Sequence, residues 1–102
     1  MEQFKYNKKT IKLTYTYKAM MQFENISEKM FALSSITDYV IFLYAIMLDQ
    51  IDGDFDFNND YMPWLEKNHN IFENIYIPWL ISEVTKQQIK SKTTSEDKES
   101  KN

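Results

Sequence analysis

One run limits what this chain can fold into more than any other: YVIFLYAIML, residues 39–48, which carries no charge from end to end. It is far short of the ~20 residues a helix needs to span a bilayer. As a helix it would have no polar face, so protein must surround it. Ser35-Ile36-Thr37-Asp38, just ahead of it, has the [ST]-x-x-[DE] spacing of a capping box, and the pattern predicts a helix over about 37–50. A chain of 102 residues has one modest core, burying ~65% of its unfolded surface, and full enclosure of such a helix is difficult. Self-association into a homo-oligomer is the expectation that follows.

The chain before this helix changes period. Over EQFKYNKKTIKLTYTY, Phe4 and Tyr6 alternate on one face and Ile11, Leu13, Tyr15 and Tyr17 on another. With Asn7-Lys8-Lys9 as a turn, this reads as a β-hairpin over about 2–17, in which Asn7 suits a positive φ and Lys8 stands where glycine is usual. Ala19, Phe23 and Ile26 then fall at helical spacing, predicting a helix over about 17–26 with Thr16 as its cap. The connector 27–34 carries Met30, Phe31 and Leu33 and is expected to fold back onto the core, because three large apolar side chains left in water are costly.

Beyond the apolar helix, DQIDGDFDFNND holds the chain's one glycine and aspartates at 52, 54 and 56. The EF-hand pattern fails twice, with Phe57 where glycine belongs and Pro63 where the closing glutamate belongs. Turn formation and helix capping are the favoured roles for these carboxylates, and a weak cation site the lesser alternative. A short phrase then occurs twice, as Tyr61-Met62-Pro63-Trp64-Leu65 and Tyr76-Ile77-Pro78-Trp79-Leu80. Tyr, Trp and Leu at i, i+3 and i+4 share a helical face, so the repeat predicts two helices packed through it, over about 59–67 and 71–89. Asn58 to Asp60 are cap candidates for the first, Asn70 with Glu73 forms a capping box for the second, and Pro78 marks a kink. The whole is an α+β, mainly α fold: one globular domain over 1–90, then a polar tail over 91–102 with no apolar residue, read as disordered.

Composition narrows function. There is no cysteine, which excludes disulfides, thiolate nucleophiles and cysteine metal sites. The single histidine, His69, lies in a polar stretch without the partners a catalytic base needs, and no phosphate-binding, dinucleotide or HExxH motif occurs. The expectation is a non-enzyme without cofactor or metal. All 12 basic residues are lysine, which counts against bidentate recognition of bases and phosphates. Residues 1–18 hold five lysines against one acid, and 49–60 hold five aspartates and no base; such a dipole can orient an assembly or simply be solvated. The Lys-rich start lacks the apolar segment of a signal peptide, so an intracellular, membrane-free location is expected.

Residues 4–83 together resemble the tail assembly chaperones of long-tailed bacteriophages. FKYNKKTIKLTYTYKAMMQFENIS is similar to their opening hairpin and short helix, ITDYVIFLYAIML to their next helix, and FDFNNDYMPWLEKNHNIF to the acidic turn, helix, polar break and further helix that follow. Lys8 and Ser27-Glu28 depart from the pattern at positions where it has glycine, and proline in both YxPWL copies is foreign to it. The resemblance implies a chaperone that binds the helical tape measure protein in the host cytoplasm, keeps it soluble, recruits the tail tube protein and is absent from the mature virion. It also implies that the short form can be extended by a ribosomal frameshift. A tolerant, Met- and aromatic-rich surface suits that role, with Met20, Met21, Met30, Phe31, Tyr44 and Met47 as candidate partner-binding residues. The alternatives are a small regulatory protein that binds nucleic acid through the Lys-rich hairpin, where tyrosines beside lysines could stack bases, or an interaction domain with another protein target.

Overall fold

The computed structural model describes residues 2–86, and its first element is set by two residues. Asn7 and Lys8 both have positive φ, 46° and 71°, the backbone of a two-residue hairpin turn whose twist matches that of the strands. Strands β1 (Gln3–Tyr6) and β2 (Lys9–Lys12) pair antiparallel, Phe4 opposite Ile11 and Tyr6 opposite Lys9. Directly opposed residues lie on one face. Phe4, Ile11 and Leu13 are therefore buried together, which corrects the expectation of two faces. The ladder is also shorter than the 2–17 expected. Its last bond runs from the Leu13 N–H to the Glu2 carbonyl at 2.9 Å, and the chain then leaves the sheet to start a helix. At the open edge, the Gln50 carboxamide accepts from the Lys12 N–H at 2.9 Å and donates to the Lys12 carbonyl at 2.7 Å, replacing a third strand.

Helix α1 (Tyr17–Ser27) starts as the spacing predicts: Thr16 Oγ1 accepts from the Ala19 N–H at 3.1 Å, and Ala19 and Phe23 are buried. It ends at Glu28, held left-handed at φ 59° with its N–H on the Glu24 carbonyl at 2.8 Å. Such a C-terminal position favours glycine, so a side chain here is strained. The connector does return to the core through Phe31 and Leu33, but Met30 is 84% exposed, against the expectation that all three would fold inward.

Helix α2 (Ile36–Gln50) begins one residue before the predicted 37, because Ser35 is its cap and Ser35 Oγ accepts from the Asp38 N–H at 3.2 Å. The reciprocal half of the capping box is absent: the Asp38 carboxylate accepts instead from the Ser34 N–H and hydroxyl and from Lys29 Nζ. Every residue from Phe42 to Met47 is buried. Their surroundings come from the same chain, since the core also contains Phe4, Ile11, Leu13, Ala19, Phe23, Phe55, Tyr61, Leu65, Tyr76, Trp79 and Leu80. Enclosure of the apolar helix thus requires no second subunit, and that ground for self-association falls.

After the turn at Gly53 (φ 85°), Asp56 is the cap. Its Oδ2 accepts from the N–H groups of Asn58 and Asn59 at 3.0 and 2.7 Å, while its own N–H donates to Asp60 Oδ2 at 2.8 Å. The cap lies ahead of the 58–60 expected, because the helix opens with an extra, wide turn. That π-helical turn, Phe57–Tyr61, leads into α3 (Met62–Lys67). Asn68 then breaks the helix at φ −122°, ψ 36°, and its side chain donates to the Trp64 carbonyl at 2.8 Å. The side chain that could have capped the next helix is thereby used on the previous one. No Asn70–Glu73 capping box forms; helical backbone resumes at His69–Ile71, widens into a second π-helical turn, Phe72–Tyr76, and continues over 77–86. The expected helix end near 89 and the tail 91–102 lie outside the described residues.

The wide turns account for the prolines. Inside an α-helix, Pro63 would leave the carbonyl four residues back without a donor and press its ring against it. In the π-helical turn, N–H groups bond five residues back instead, Tyr61 to Asp56 at 2.9 Å, Met62 to Phe57, and Ile77 to Phe72. The ladder is thus offset just before each proline. Pro78 follows a widened turn where the sequence predicts a kink.

Candidate functional site

The structure does not gather the six expected partner-binding residues. Met47 is fully buried and Tyr44 nearly so, its hydroxyl donating to the Phe55 carbonyl at 2.5 Å. Phe31 is wedged between Phe23 and Phe42, with ring centroids 5.2 and 5.1 Å away, and Met20 packs partly against the core. Only Met21 and Met30 are exposed, on α1 and on the connector. A buried helix presents methionine and tyrosine inward as readily as outward.

The sequence repeat is longer and more regular than the five-residue phrase. Residues 57–65 and 72–80 share F-x-N-x-Y-x-P-W-L, and their rings are arranged alike. Phe57–Tyr61 and Phe72–Tyr76 have centroids 5.4 and 5.3 Å apart; Tyr61–Trp64 and Tyr76–Trp79 have 6.3 and 6.2 Å. Both tyrosines are fully buried, and they donate to adjacent carbonyls of α2, Tyr61 to Val40 and Tyr76 to Tyr39, each at 2.6 Å. Burial raises both phenol pKa values well above the usual value of 10.0. The repeat clamps α2, in keeping with core packing ahead of partner binding. The period of fifteen was legible in the sequence; the phenylalanine and asparagine at its start were the missed signal.

What remains at the surface is an apolar groove of about 190 Å³, lined by Leu33, Tyr39, Ile77, Leu80, Ile81, Val84 and Thr85. Ile81 stands at its edge, 62% exposed. The equivalent position of the first repeat unit is Glu66, also exposed. One backbone position thus carries a charge in one copy and a bare isoleucine in the other. Sequence reasoning missed the groove because its walls come from three separate segments. A larger cleft, lined by residues including Glu2, Tyr15, Asn74, Trp79 and Glu83, is mixed in polarity and open.

The charged segments answer one another in part. Lys18 Nζ lies 2.6 Å from Asp49 and Lys9 Nζ 3.8 Å from Asp52, so the basic start and the acidic turn meet within one chain. Asp56 and Asp60 are engaged in the helix cap, and among the described residues no three His, Cys, Asp or Glu side chains gather as a metal site. His69 is well exposed beside Glu73, at 3.5 Å. Two of the tyrosines of the expected hairpin are packed rather than free to stack on bases, Tyr6 on Phe55 and Trp64, and Tyr15 on Phe31, Phe42 and Trp79, whereas Tyr17, at the start of α1, is exposed.

Among the described residues Asp38 is the one buried charged residue, under Lys29, whose ammonium is 2.5 Å away. The Lys29 hydrogen bond, reinforced by the Ser34 N–H and hydroxyl, lowers its pKa to about 2 despite the opposing effect of desolvation. It is a structural carboxylate, with all its bonds to the connector it restrains. Among the described residues no helix is long and apolar enough to cross a membrane. Comparison with protein-family models, with curated proteins and with solved structures returns no match for this chain.

Proposed function

We propose that this protein is a tail assembly chaperone of the long-tailed phage type, which binds the helical tape measure protein and holds it soluble for tube assembly. The observation that carries the reading is where the backbone is left-handed. The chain departs from the family's glycine pattern at Lys8 and at Ser27-Glu28, and Lys8 and the second residue of that pair, Glu28, have positive φ, 71° and 59°. The turn geometry that glycine serves is thus kept where the glycine is lost, which supports aligning this chain with that family. The element order supports it as well: hairpin, short helix, enclosed apolar helix, acidic turn, then two further helical segments.

A helical partner with an apolar stripe would need a covering surface, and the groove beside Ile81 is of the kind that accepts such a helix by its i, i+3 and i+4 side chains. Contact with the tail tube protein, action in the cytoplasm of the infected host and absence from the virion belong to the same proposal. The reading predicts a very long helical protein encoded just downstream, and co-expression with that protein, followed by size-exclusion chromatography, tests it. A co-eluting complex whose yield is little changed by salt is expected. An equally insoluble partner with no complex would refute the mechanism. Binding to nucleic acid that collapses between low and moderate salt would instead favour the regulatory alternative.

A further inference from the structure

The connector between α1 and α2 is fastened in an unusual manner. Residues 28–34 contribute one deep apolar anchor, the Phe31 ring, which meets Phe23, Phe42 and Tyr15 at centroid distances of 5.2, 5.1 and 6.2 Å. Leu33 adds a half-buried contact at the groove wall, and the side-chain hydrogen bonds that hold the segment go to two carboxylates on the flanking helices. Glu24 Oε2 accepts from the Phe31 N–H at 2.7 Å. Asp38 accepts from the Ser34 N–H at 2.9 Å, from its hydroxyl at 3.0 Å and from Lys29 Nζ at 2.5 Å. Between these fastenings Met30 and Ala32 face solvent. The segment leaves α1 through Glu28, in a left-handed conformation that opposes a side chain.

We propose that residues 28–34 are a releasable strap: they lift from the α1–α2 seam as a unit while both helices stay folded. The carboxylates and the ammonium regain water when the strap lifts, so releasing them costs less than exposing apolar surface of equal extent. Lifting relieves the strain at Glu28 and withdraws one ring. It uncovers the sides of Phe23 and Phe42, and it takes Leu33 out of the wall of the apolar groove, so that groove and seam become continuous. Phe42 itself stays fixed, since its neighbours on α2 are buried against the hairpin and the later helices. The strap is independent of the chaperone reading, because it rests only on how the segment is tied down.

Amide hydrogen exchange of the whole chain reads the opening directly. The Phe31 and Ser34 amides, each bonded to a carboxylate, are expected to exchange at least ~100-fold faster than those of 42–47 in α2, as sub-global opening requires. In Glu24→Ala, Phe31 loses its acceptor and must speed up for local reasons alone. Ser34, which Glu24 does not touch, is the informative amide, and a gain of about tenfold is expected there, with exchange over 42–47 unchanged. Lys29→Met loosens the opposite fastening and should speed both amides together, again without effect on α2; it also serves if Glu24→Ala fails to fold. A Ser34 amide unmoved in both variants would mean that the segment does not open as a unit. Acceleration of the α2 amides by the same factor would mean that the strap opens only with the whole protein. Either result overturns the proposal.

Discussion

The two copies of F-x-N-x-Y-x-P-W-L are locally near-identical and globally different. Each has a wide turn ahead of an exposed proline, a fully buried tyrosine on an α2 carbonyl, and a buried leucine. Their tryptophans diverge. Trp64 is half-buried against the hairpin, stacked on Phe4 at 5.5 Å and edge-on to Tyr6 at 5.6 Å, whereas Trp79 is only 8% exposed and near Tyr15 at 6.5 Å. Local sequence thus sets the course of the backbone and where the tyrosine goes. The rest of the chain decides how much each copy stabilises.

The tryptophans give the largest expected difference between the copies. Replacing a buried tryptophan with alanine costs about 4 kcal/mol, through lost transfer energy and a residual cavity. Trp79→Ala should approach that value. Trp64→Ala, with its ring already partly in water, should cost about half as much. Urea unfolding of both variants checks this, and equal losses would show that the copies are energetically equivalent despite their different burial.

The tyrosines should instead behave alike. Tyr61→Phe and Tyr76→Phe each remove one buried hydroxyl bonded to a carbonyl, at a cost of about 1–2 kcal/mol. Alkaline titration supplies a second readout. Burial raises both phenol pKa values above the unfolded value of 10.0. The stability linked to each is therefore fully present below pH 10.0 and is lost as pH rises from there through the folded-state pKa. Each single phenylalanine variant should flatten the decline of stability above about pH 10 by a similar amount. A single hydroxyl responsible for all of it would break the equivalence of the clamp.

The prolines sharpen the question of what makes the wide turns. If the tyrosine–carbonyl bonds hold the geometry, Pro63→Ala and Pro78→Ala lose only the restriction that proline places on the unfolded chain, about 0.5–1 kcal/mol each. Thermal unfolding should show small, matched decreases. Stabilisation by either substitution would identify the ring itself as a source of strain.

How much of this was legible in the sequence follows from the range of the interactions. The hairpin turn at Asn7-Lys8, the Thr16 cap and the amphipathic face of α1 are decided within a few residues, and the structure has them where the patterns predict. The capping of the later helices was misplaced because Asp56, Asp60 and Asn68 all bond locally but in competing ways, and only the wide turns decide between them. The enclosure of α2 was illegible for the opposite reason. It needs Phe4, Phe23, Tyr61 and Tyr76 to converge from four elements, and periodicity says nothing of which elements meet. The six candidate partner-binding residues are divided between core and surface on the same ground: Met47 and Met21 are alike in sequence, and only the tertiary arrangement buries one and exposes the other.

Ile81 and Glu66 carry the comparison from stability to function. They occupy one position of the repeat on exposed backbone, yet only Ile81 borders the apolar groove. An exposed isoleucine contributes little to folding, so Ile81→Glu, which gives the second copy the residue of the first, should shift stability by no more than about 0.5 kcal/mol. If the groove covers an apolar helix of the partner, the same substitution places a charge where water is to be excluded, and the co-eluting complex should be lost. Glu66→Ile, made at the position without a groove, is the matched control and should leave the complex intact. Loss of the complex in both variants, or in neither, would separate the groove from the chaperone reading: the first implicates the surface charge of the repeat as a whole, and the second moves the binding face elsewhere, with the exposed pair Tyr17 and Met21 on α1 next in line.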